Sequence, residues 1–181
     1  MTTIGTMTAE QLLSRPRGRG RCELIQGELI IMTPPGGDHG YVAMEIAYAV
    51  RNWAEDHGGR VYAAETGFVL ERNPDTVRAP DVAYISRDRL EQAKTPKFIP
   101  IAPDFVAEVL SPNDKAGEVD QKVQWWLDHD VKMVWVADPT NQSVTSYLPN
   151  GMAHLYRGDD QLVGQDVLPG FCLPPQSIFD S

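Results

Sequence analysis

The chain has 181 residues, of which 42% are hydrophobic and 23% are charged, and its formal net charge is −9 at pH 7. This length suits one well-buried core, so we expect a single domain over residues 1–181, with residues 1–7 flexible. The acidic balance excludes a protein that wraps nucleic acid through a broad basic surface. No apolar run approaches the ~20 residues of a membrane span and no secretion signal is seen, so we expect a cytoplasmic protein without a membrane partner.

The first third of the chain predicts a helix, a hairpin and a second helix. A capping-box pattern at Thr8 and Gln11 predicts a short helix over residues 9–13. "CELIQGELIIM" predicts two strands joined by a tight turn at residues 26–27. Apolar residues at helical spacing then predict a helix over residues 39–56, with Asp38 as its N-cap.

A basic cluster separates the first helix from the hairpin. Its arginines alternate with proline and glycine, and they are Arg15, Arg17, Arg19 and Arg21. We interpret the cluster as a solvated loop, and the alternative is a flexible arm that contacts phosphates.

The remaining elements are mostly strands. Patterns of apolar residues predict strands at 61–64, 68–70, 82–85 and 105–110, a helix over 115–128, and strands in "VKMVWVAD", "SVTSYL" and "MAHLYR". We expect the C-terminal "DVLPGFCLPPQSIF" to close the sheet or to pair with a second subunit. The order of elements predicts an α/β fold in which helices flank a mixed β-sheet.

Two carboxylates occupy unusual positions in this pattern. Glu108 lies inside the apolar run "FVAEVL", where an ionised side chain requires a cation, a metal or several hydrogen-bond donors. Asp81 follows Pro80 at the start of another strand; by itself this pair is typical of a strand entry. Carboxylates on successive strands of one sheet can converge on a single cation, so together they predict a site for Mg²⁺ or Mn²⁺.

These motifs resemble a known family. Pro80-Asp81 followed by Glu108 in a strand resembles the PD-(D/E)XK nuclease superfamily, which has the restriction-endonuclease-like fold. More specifically, "CELIQGELI", "PPGGDHG", "AETGF", "VRAPDVAYIS", "PDFVAEVLSP", "KMVWVADP" and "DVLPGFCLP" resemble the Uma2, or DUF820, family. The resemblance implies a restriction-endonuclease-like core with extra N- and C-terminal strands, and DNA as the substrate.

The chain departs from the superfamily motif at one position. The motif places a lysine two residues after the glutamate, and here that residue is Leu110. Lys122 lies on the apolar stripe of the next helix, which directs it inward, and the Uma2-like pattern carries such a lysine. We therefore predict that Lys122 is the displaced catalytic lysine, with Lys115 as the fallback. The alternative is an ordinary surface pair between Glu118 and Lys122.

Three further residues are weaker candidates for the site. Glu45 lies on the long helix and is equally consistent with a helix edge. Glu65 ends a strand and is either an accessory group or a simple strand terminus. His39, after the glycine-rich loop, is a candidate for contacting phosphate or orienting water, or it only caps its helix. The helical spacing of Trp125 and Trp126 is more typical of core residues than of a surface that stacks on bases.

The sequence thus predicts a metal-dependent endonuclease that hydrolyses phosphodiester bonds, with Asp81 and Glu108 as metal ligands and Lys122 as the third catalytic residue. A homodimer is expected by analogy with enzymes that cut two strands. Two alternatives stay open. One is a catalytically silent binding or regulatory homo-oligomer with the same fold, and the other is a nuclease for RNA or a small phosphodiester.

Overall fold

The computed structural model describes residues 6–16 and 20–180. The helices are α1 (Ala9–Leu13), α2 (Gly37–His57), α3 (Leu90–Ala93) and α4 (Ala116–Asp128). The strands are β1 (Arg21–Ile25), β2 (Glu28–Met32), β3 (Arg60–Ala63), β4 (Phe68–Glu71), β5 (Thr76–Arg78), β6 (Val82–Ile85), β7 (Phe105–Val109), β8 (Met133–Asp138), β9 (Ser143–Tyr147), β10 (Ala153–Arg157), β11 (Leu162–Val163) and β12 (Cys172–Leu173). The predictions for residues 1–5, Arg17 and Arg19 fall outside the described residues. No described helix is long and apolar enough to cross a membrane.

The central element is a six-stranded sheet in the order β10-β9-β8-β7-β6-β3. Strands β7 and β8 pair in parallel, with Glu108 opposite Val136, and the other neighbours pair antiparallel. A parallel pair needs a crossover connection, which α4 provides. The predicted α/β fold with helices around a mixed sheet is confirmed.

The two long helices cover opposite faces of this sheet. Buried residues of α2, such as Val42, Ile46 and Val50, pack with Phe105 and with Ala107 of β7. On the other face, Val123 and Trp126 of α4 pack with Val106 of the same strand. Because side chains alternate along a strand, Glu108 lies on the α4 face together with Val106.

A second sheet has the order β2-β1-β5-β4. Its hairpin forms as predicted, with Leu24 opposite Leu29 and with positive φ angles of 50° at Gln26 and 79° at Gly27. Two positive φ values characterise the turn that matches the twist of a two-residue hairpin. The prediction missed β5, because a strand of three residues is too short to produce a recognisable alternation.

Two local predictions were wrong. Gly36, not Asp38, is the N-cap of α2. Asp38 lies in the first helical turn, where its negative charge interacts favourably with the positive end of the helix dipole. The C-terminal segment does not close the main sheet, so this half of its prediction was wrong, whereas pairing with a second subunit stays a prediction. Its strand β12 pairs with β11 in a separate two-stranded sheet, while Leu168, Phe171 and Ile178 pack into the core beside α2.

Candidate active site

The pairing of β6 with β7 places the two predicted carboxylates side by side. Val82, the first residue of β6, lies opposite Ala107, so Asp81 lies next to the end of β7. The backbone N–H of Val109 donates to Oδ2 of Asp81 at 2.9 Å. Asp81 and Glu108 are both buried, with 3% and 6% of their surface exposed.

Glu108 is held by two side chains of α4. Nζ of Lys122 donates to Oε2 at 2.8 Å, and Nε1 of Trp126 donates to Oε1 at 2.8 Å. These residues are four apart and therefore lie on one face of the helix. Lys122 thus points inward as predicted, with 24% of its side chain exposed. The surface pair of Lys122 with Glu118 is not present; Glu118 pairs instead with Lys115 at 2.9 Å.

Asp81 is held from two further directions. Nη2 of Arg21 lies 2.9 Å from Oδ1, and Nε2 of His39 lies 3.2 Å from Oδ2. The interpretation of Arg21 as part of a solvated loop was wrong. It is the first residue of β1, only 12% of its side chain is exposed, and Nη2 also donates to the carbonyl oxygen of Ala79 at 2.8 Å.

The sequence analysis missed a third buried carboxylate, Glu23 of β1. It is 3% exposed, and it accepts from the backbone N–H of Ala79 at 3.0 Å and from Nη1 of Arg78 at 3.4 Å. Nζ of Lys122 lies 3.7 Å from its Oε1. The signal was present in "RCELI", where a charge inside an apolar strand raises the same question as Glu108, and a spacing of two puts Arg21 on the same face.

The structure does not bring Glu45 or Glu65 to these residues. Glu45 lines a separate cavity of about 420 Å³ between α2 and the C-terminal segment. Glu65 is exposed in the turn after β3, with a φ of 69°, which agrees with a simple strand terminus. Trp126 is fully buried, as expected of a core residue. Trp125 is partly exposed, and Cζ of the Arg78 guanidinium lies over its indole ring, 4.7 Å from the ring centre.

A cleft of about 710 Å³ opens onto this cluster. Its floor contains Glu23, Asp81 and Glu108, and one wall is formed by the end of β2 and the proline-glycine loop that leads to α2. Residues 110–114 and the first turns of α4 also line the cleft. The cluster is therefore accessible to a ligand although its carboxylates are buried.

The ionisable groups of the cleft shift one another's pKa. Burial alone would raise the pKa of Asp81, but the hydrogen bond from His39, the charge of Arg21 and the N–H of Val109 lower it to about 2. Burial raises the pKa of Glu108, the neighbouring Asp81 carboxylate adds to this, and the Lys122 ammonium opposes it. Burial lowers the pKa of Lys122, but the Glu108 and Glu23 carboxylates outweigh it, so that the net shift is upward.

The donor set fits a hard divalent cation. No group of three or more His, Cys, Asp or Glu side chains that could hold a metal occurs among the described residues, so a closed all-protein cage is absent there. Mg²⁺ uses one or two carboxylates together with water and substrate phosphate, and Asp81 and Glu108 supply such a pair. Oδ1 of Asp81 is buried, and among the described residues it receives no hydrogen bond of good geometry, only the charge of Arg21. This oxygen is therefore available as a ligand.

A mixed sheet with a helix on each face, and a cleft with paired buried carboxylates beside a lysine, define a protein of the restriction-endonuclease-like class. The chain belongs to the Uma2 family, whose model, described as "Putative restriction endonuclease", matches residues 9–176. A solved structure from Anabaena variabilis ATCC 29413, described as "a putative nuclease belonging to DUF820", is similar with a TM-score of 0.79 and 22% sequence identity. The alignment covers 96% of this chain and 97% of that one, and at this identity it shows the fold. A comparison with curated proteins gives no match. Family and fold together indicate a nuclease.

Proposed function

We propose that this protein is a metal-dependent endonuclease that hydrolyses phosphodiester bonds in DNA. One observation carries the proposal: Asp81 and Glu108 lie together at the floor of an open cleft, and Nζ of Lys122 is 2.8 Å from Glu108. Acidic side chains beside a cation, at the end of a buried strand, provide what phosphoryl transfer needs, namely positioning and electrostatic stabilisation.

Asp81 and Glu108 would hold Mg²⁺ or Mn²⁺. When bound, such an ion polarises a phosphoryl oxygen and lowers the pKa of a coordinated water. The protein prepares both ligands by fixing one oxygen of each. The N–H of Val109 orients Asp81, and the indole N–H of Trp126 orients Glu108. Oriented ligands bind a metal more tightly than mobile ones.

Lys122 serves as an electrostatic group in this proposal. Two roles are chemically conceivable for it, namely accepting a proton from water or stabilising the charge of the pentacoordinate phosphorus. Its pKa is raised by Glu108 and Glu23, so it stays protonated at neutral pH and is a poor base. A protonated ammonium stabilises the additional negative charge of the transition state.

A nicking assay tests the proposal. Supercoiled plasmid is incubated with the protein and Mg²⁺ or Mn²⁺, and a structured RNA is incubated in parallel. Metal-dependent nicking of the plasmid, absent in Asp81→Asn, is the expected result. Cleavage of RNA alone would favour the ribonuclease alternative, and no cleavage of either would favour the silent binding module.

Metal binding is measured separately by thermal unfolding. A ligand that binds only the folded state adds RT ln(1 + [L]/Kd), about 2.7 kcal/mol at a hundredfold excess over Kd. We expect Mn²⁺ to raise Tm of the wild type, and Asp81→Asn to lose most of this increase. An equal increase in both proteins would assign the metal to another site. The homodimer and the cytoplasmic location stay predictions, and light scattering at micromolar concentration tests the first.

A further inference from the structure

The two oxygens of Asp81 have different partners. Oδ2 accepts from the backbone N–H of Val109 and lies 3.2 Å from Nε2 of His39, so two groups of fixed position hold it. Oδ1 faces only the guanidinium of Arg21, at 2.9 Å, among the described residues. The oxygen that remains for a metal is therefore the one beside a protein cation.

Glu108 repeats this arrangement. Its Oε1 accepts from the neutral indole of Trp126, and its Oε2 accepts from the ammonium of Lys122. Each carboxylate thus has one oxygen fixed by an N–H donor and one oxygen neutralised by a cation. Two monovalent cations of the protein thus supply the two positive charges that one divalent ion would bring.

The carboxylate charges at the cleft floor are balanced by guanidinium and ammonium charges without a metal. Three carboxylates face three cations there: Glu23, Asp81 and Glu108 against Arg21, Arg78 and Lys122. Each of these cations lies within 4 Å of a carboxylate oxygen. Asp114 and Glu118 add negative charge at the mouth of the cleft. A phosphodiester anion would find no surplus of positive charge among the described residues of this cleft.

We infer that Arg21 and Lys122 are internal counterions, which a divalent cation displaces from Asp81 and Glu108 and which then bind the substrate phosphate. This rests on the proposed function, and it makes DNA binding conditional on metal. Arg21 is suited to the exchange, because Nη2 also donates to the carbonyl oxygen of Ala79 and holds the side chain at the cleft wall. Its Nε is buried without a hydrogen-bond partner among the described residues. Once the guanidinium is displaced from Asp81, its planar fork still has N–H donors without partners, and these can bind a phosphate.

Calorimetric titration with Mn²⁺ tests the displacement. Arg21→Gln removes the competing cation, and we expect Mn²⁺ affinity to rise roughly tenfold. Arg21→Lys keeps the charge and should bind Mn²⁺ as the wild type does. The matched control is Arg72→Gln, because Arg72 forms an ion pair of the same length, 2.9 Å, with Asp75 away from the cleft. This control should leave the affinity unchanged.

Fluorescence anisotropy with a labelled duplex of phosphorothioate DNA, which resists hydrolysis, tests the second half of the inference. The wild type should bind the duplex at least about tenfold more tightly with Mn²⁺ than in EDTA. In Mn²⁺, Arg21→Gln should bind it roughly tenfold more weakly, with a smaller salt dependence, and Arg72→Gln should not differ from the wild type.

The outcomes separate this inference from the proposed function. Wild-type protein that binds no Mn²⁺ would overturn both. Wild-type binding of Mn²⁺ with unchanged or weaker affinity in Arg21→Gln would overturn the displacement alone. Equal binding of the duplex with Mn²⁺ and in EDTA would also overturn it, and this measurement needs no variant, so it decides even where Arg21→Gln does not fold.

Discussion

Lys122 and Glu108 form a partly buried ion pair, with Nζ 2.8 Å from Oε2, between the helix and the strand that it follows. This pair resolves the question raised by a glutamate inside an apolar strand. The cost of burying the negative charge of Glu108 is offset by a cation of the protein itself and by a hydrogen bond from the indole of Trp126. In the superfamily motif the lysine belongs to the strand. We predict that Lys122 takes its place in this chain, because its side chain reaches the face of β7 on which Glu108 lies.

A double-mutant cycle should detect this pair in unfolding experiments without metal. Glu108→Gln and Lys122→Met each leave one charge without its main partner, and we expect each to lower the free energy of unfolding by about 1 to 3 kcal/mol. The range lies below that of fully buried pairs because a quarter of the Lys122 side chain is exposed. The double variant should regain much of the loss. Additive losses in urea denaturation would show that the pair is not coupled.

Lys122→Met should reduce cleavage while the fold is kept. Removal of one positioned electrostatic group typically lowers a rate ~10²- to 10³-fold, and methionine retains the apolar stem of lysine. Stabilisation by Mn²⁺ should persist or increase, because both carboxylate ligands are unchanged and the competing ammonium is removed. The matched control is Lys115→Met, whose ammonium pairs with the exposed Glu118. A variant at position 122 that cleaves at the wild-type rate would contradict the role, as would an equal loss at position 115.

Trp126→Phe should weaken metal binding without changing the charge of the site. The indole N–H fixes Oε1 of Glu108, and loss of such an orienting partner typically costs 10- to 100-fold in metal affinity. Trp125→Phe is the control, since the Nε1 of Trp125 donates to Glu71 instead. Titration with Mn²⁺ compares the two variants. If both lose affinity equally, packing of α4 and not orientation of Glu108 is responsible.

The fall of the unfolding free energy at acidic pH should depend in part on Asp81. Its pKa is about 2 in the folded protein, below its ordinary value of 3.8, so folding favours the ionised form. This contribution of about 2 kcal/mol is fully present well above pH 3.8 and is lost as the pH falls towards 2. Asp81→Asn lacks it, so the difference in unfolding free energy from the wild type should shrink over that interval. A constant difference from pH 6 to pH 2 would refute the lowered pKa.

Local chemistry made most of the fold predictable. The capping box at Thr8 is present with both of its hydrogen bonds, and the turn at Gln26 and Gly27 has the expected backbone. Strand β6 has the predicted bounds, and α4 begins one residue later than predicted, with Lys115 as its N-cap. These features depend on residues close together in the chain, so the sequence reveals them directly.

The misassigned arginine and the missed glutamate have one cause. Arg21 and Glu23 lie on β1, in a sheet separate from that of Glu108, and only the packing of the two sheets brings them to the cleft. Nothing near Arg21 in the sequence indicates Asp81 as its partner, 60 residues later. The loop interpretation followed from the proline and glycine neighbours, whereas the contact depends on tertiary structure.

By itself, the sequence determined the order of helices and strands, the anomaly of a carboxylate within a buried strand, and the inward direction of Lys122, because periodicity and turn chemistry act over a few residues. Only the tertiary structure decided which cation faces which carboxylate oxygen. It placed Arg21 on Oδ1 of Asp81 and Lys122 on Oε2 of Glu108, and it added Glu23 to the same cleft. Ion pairs at these distances depend on how two sheets and a helix pack, and packing is a property of the whole chain.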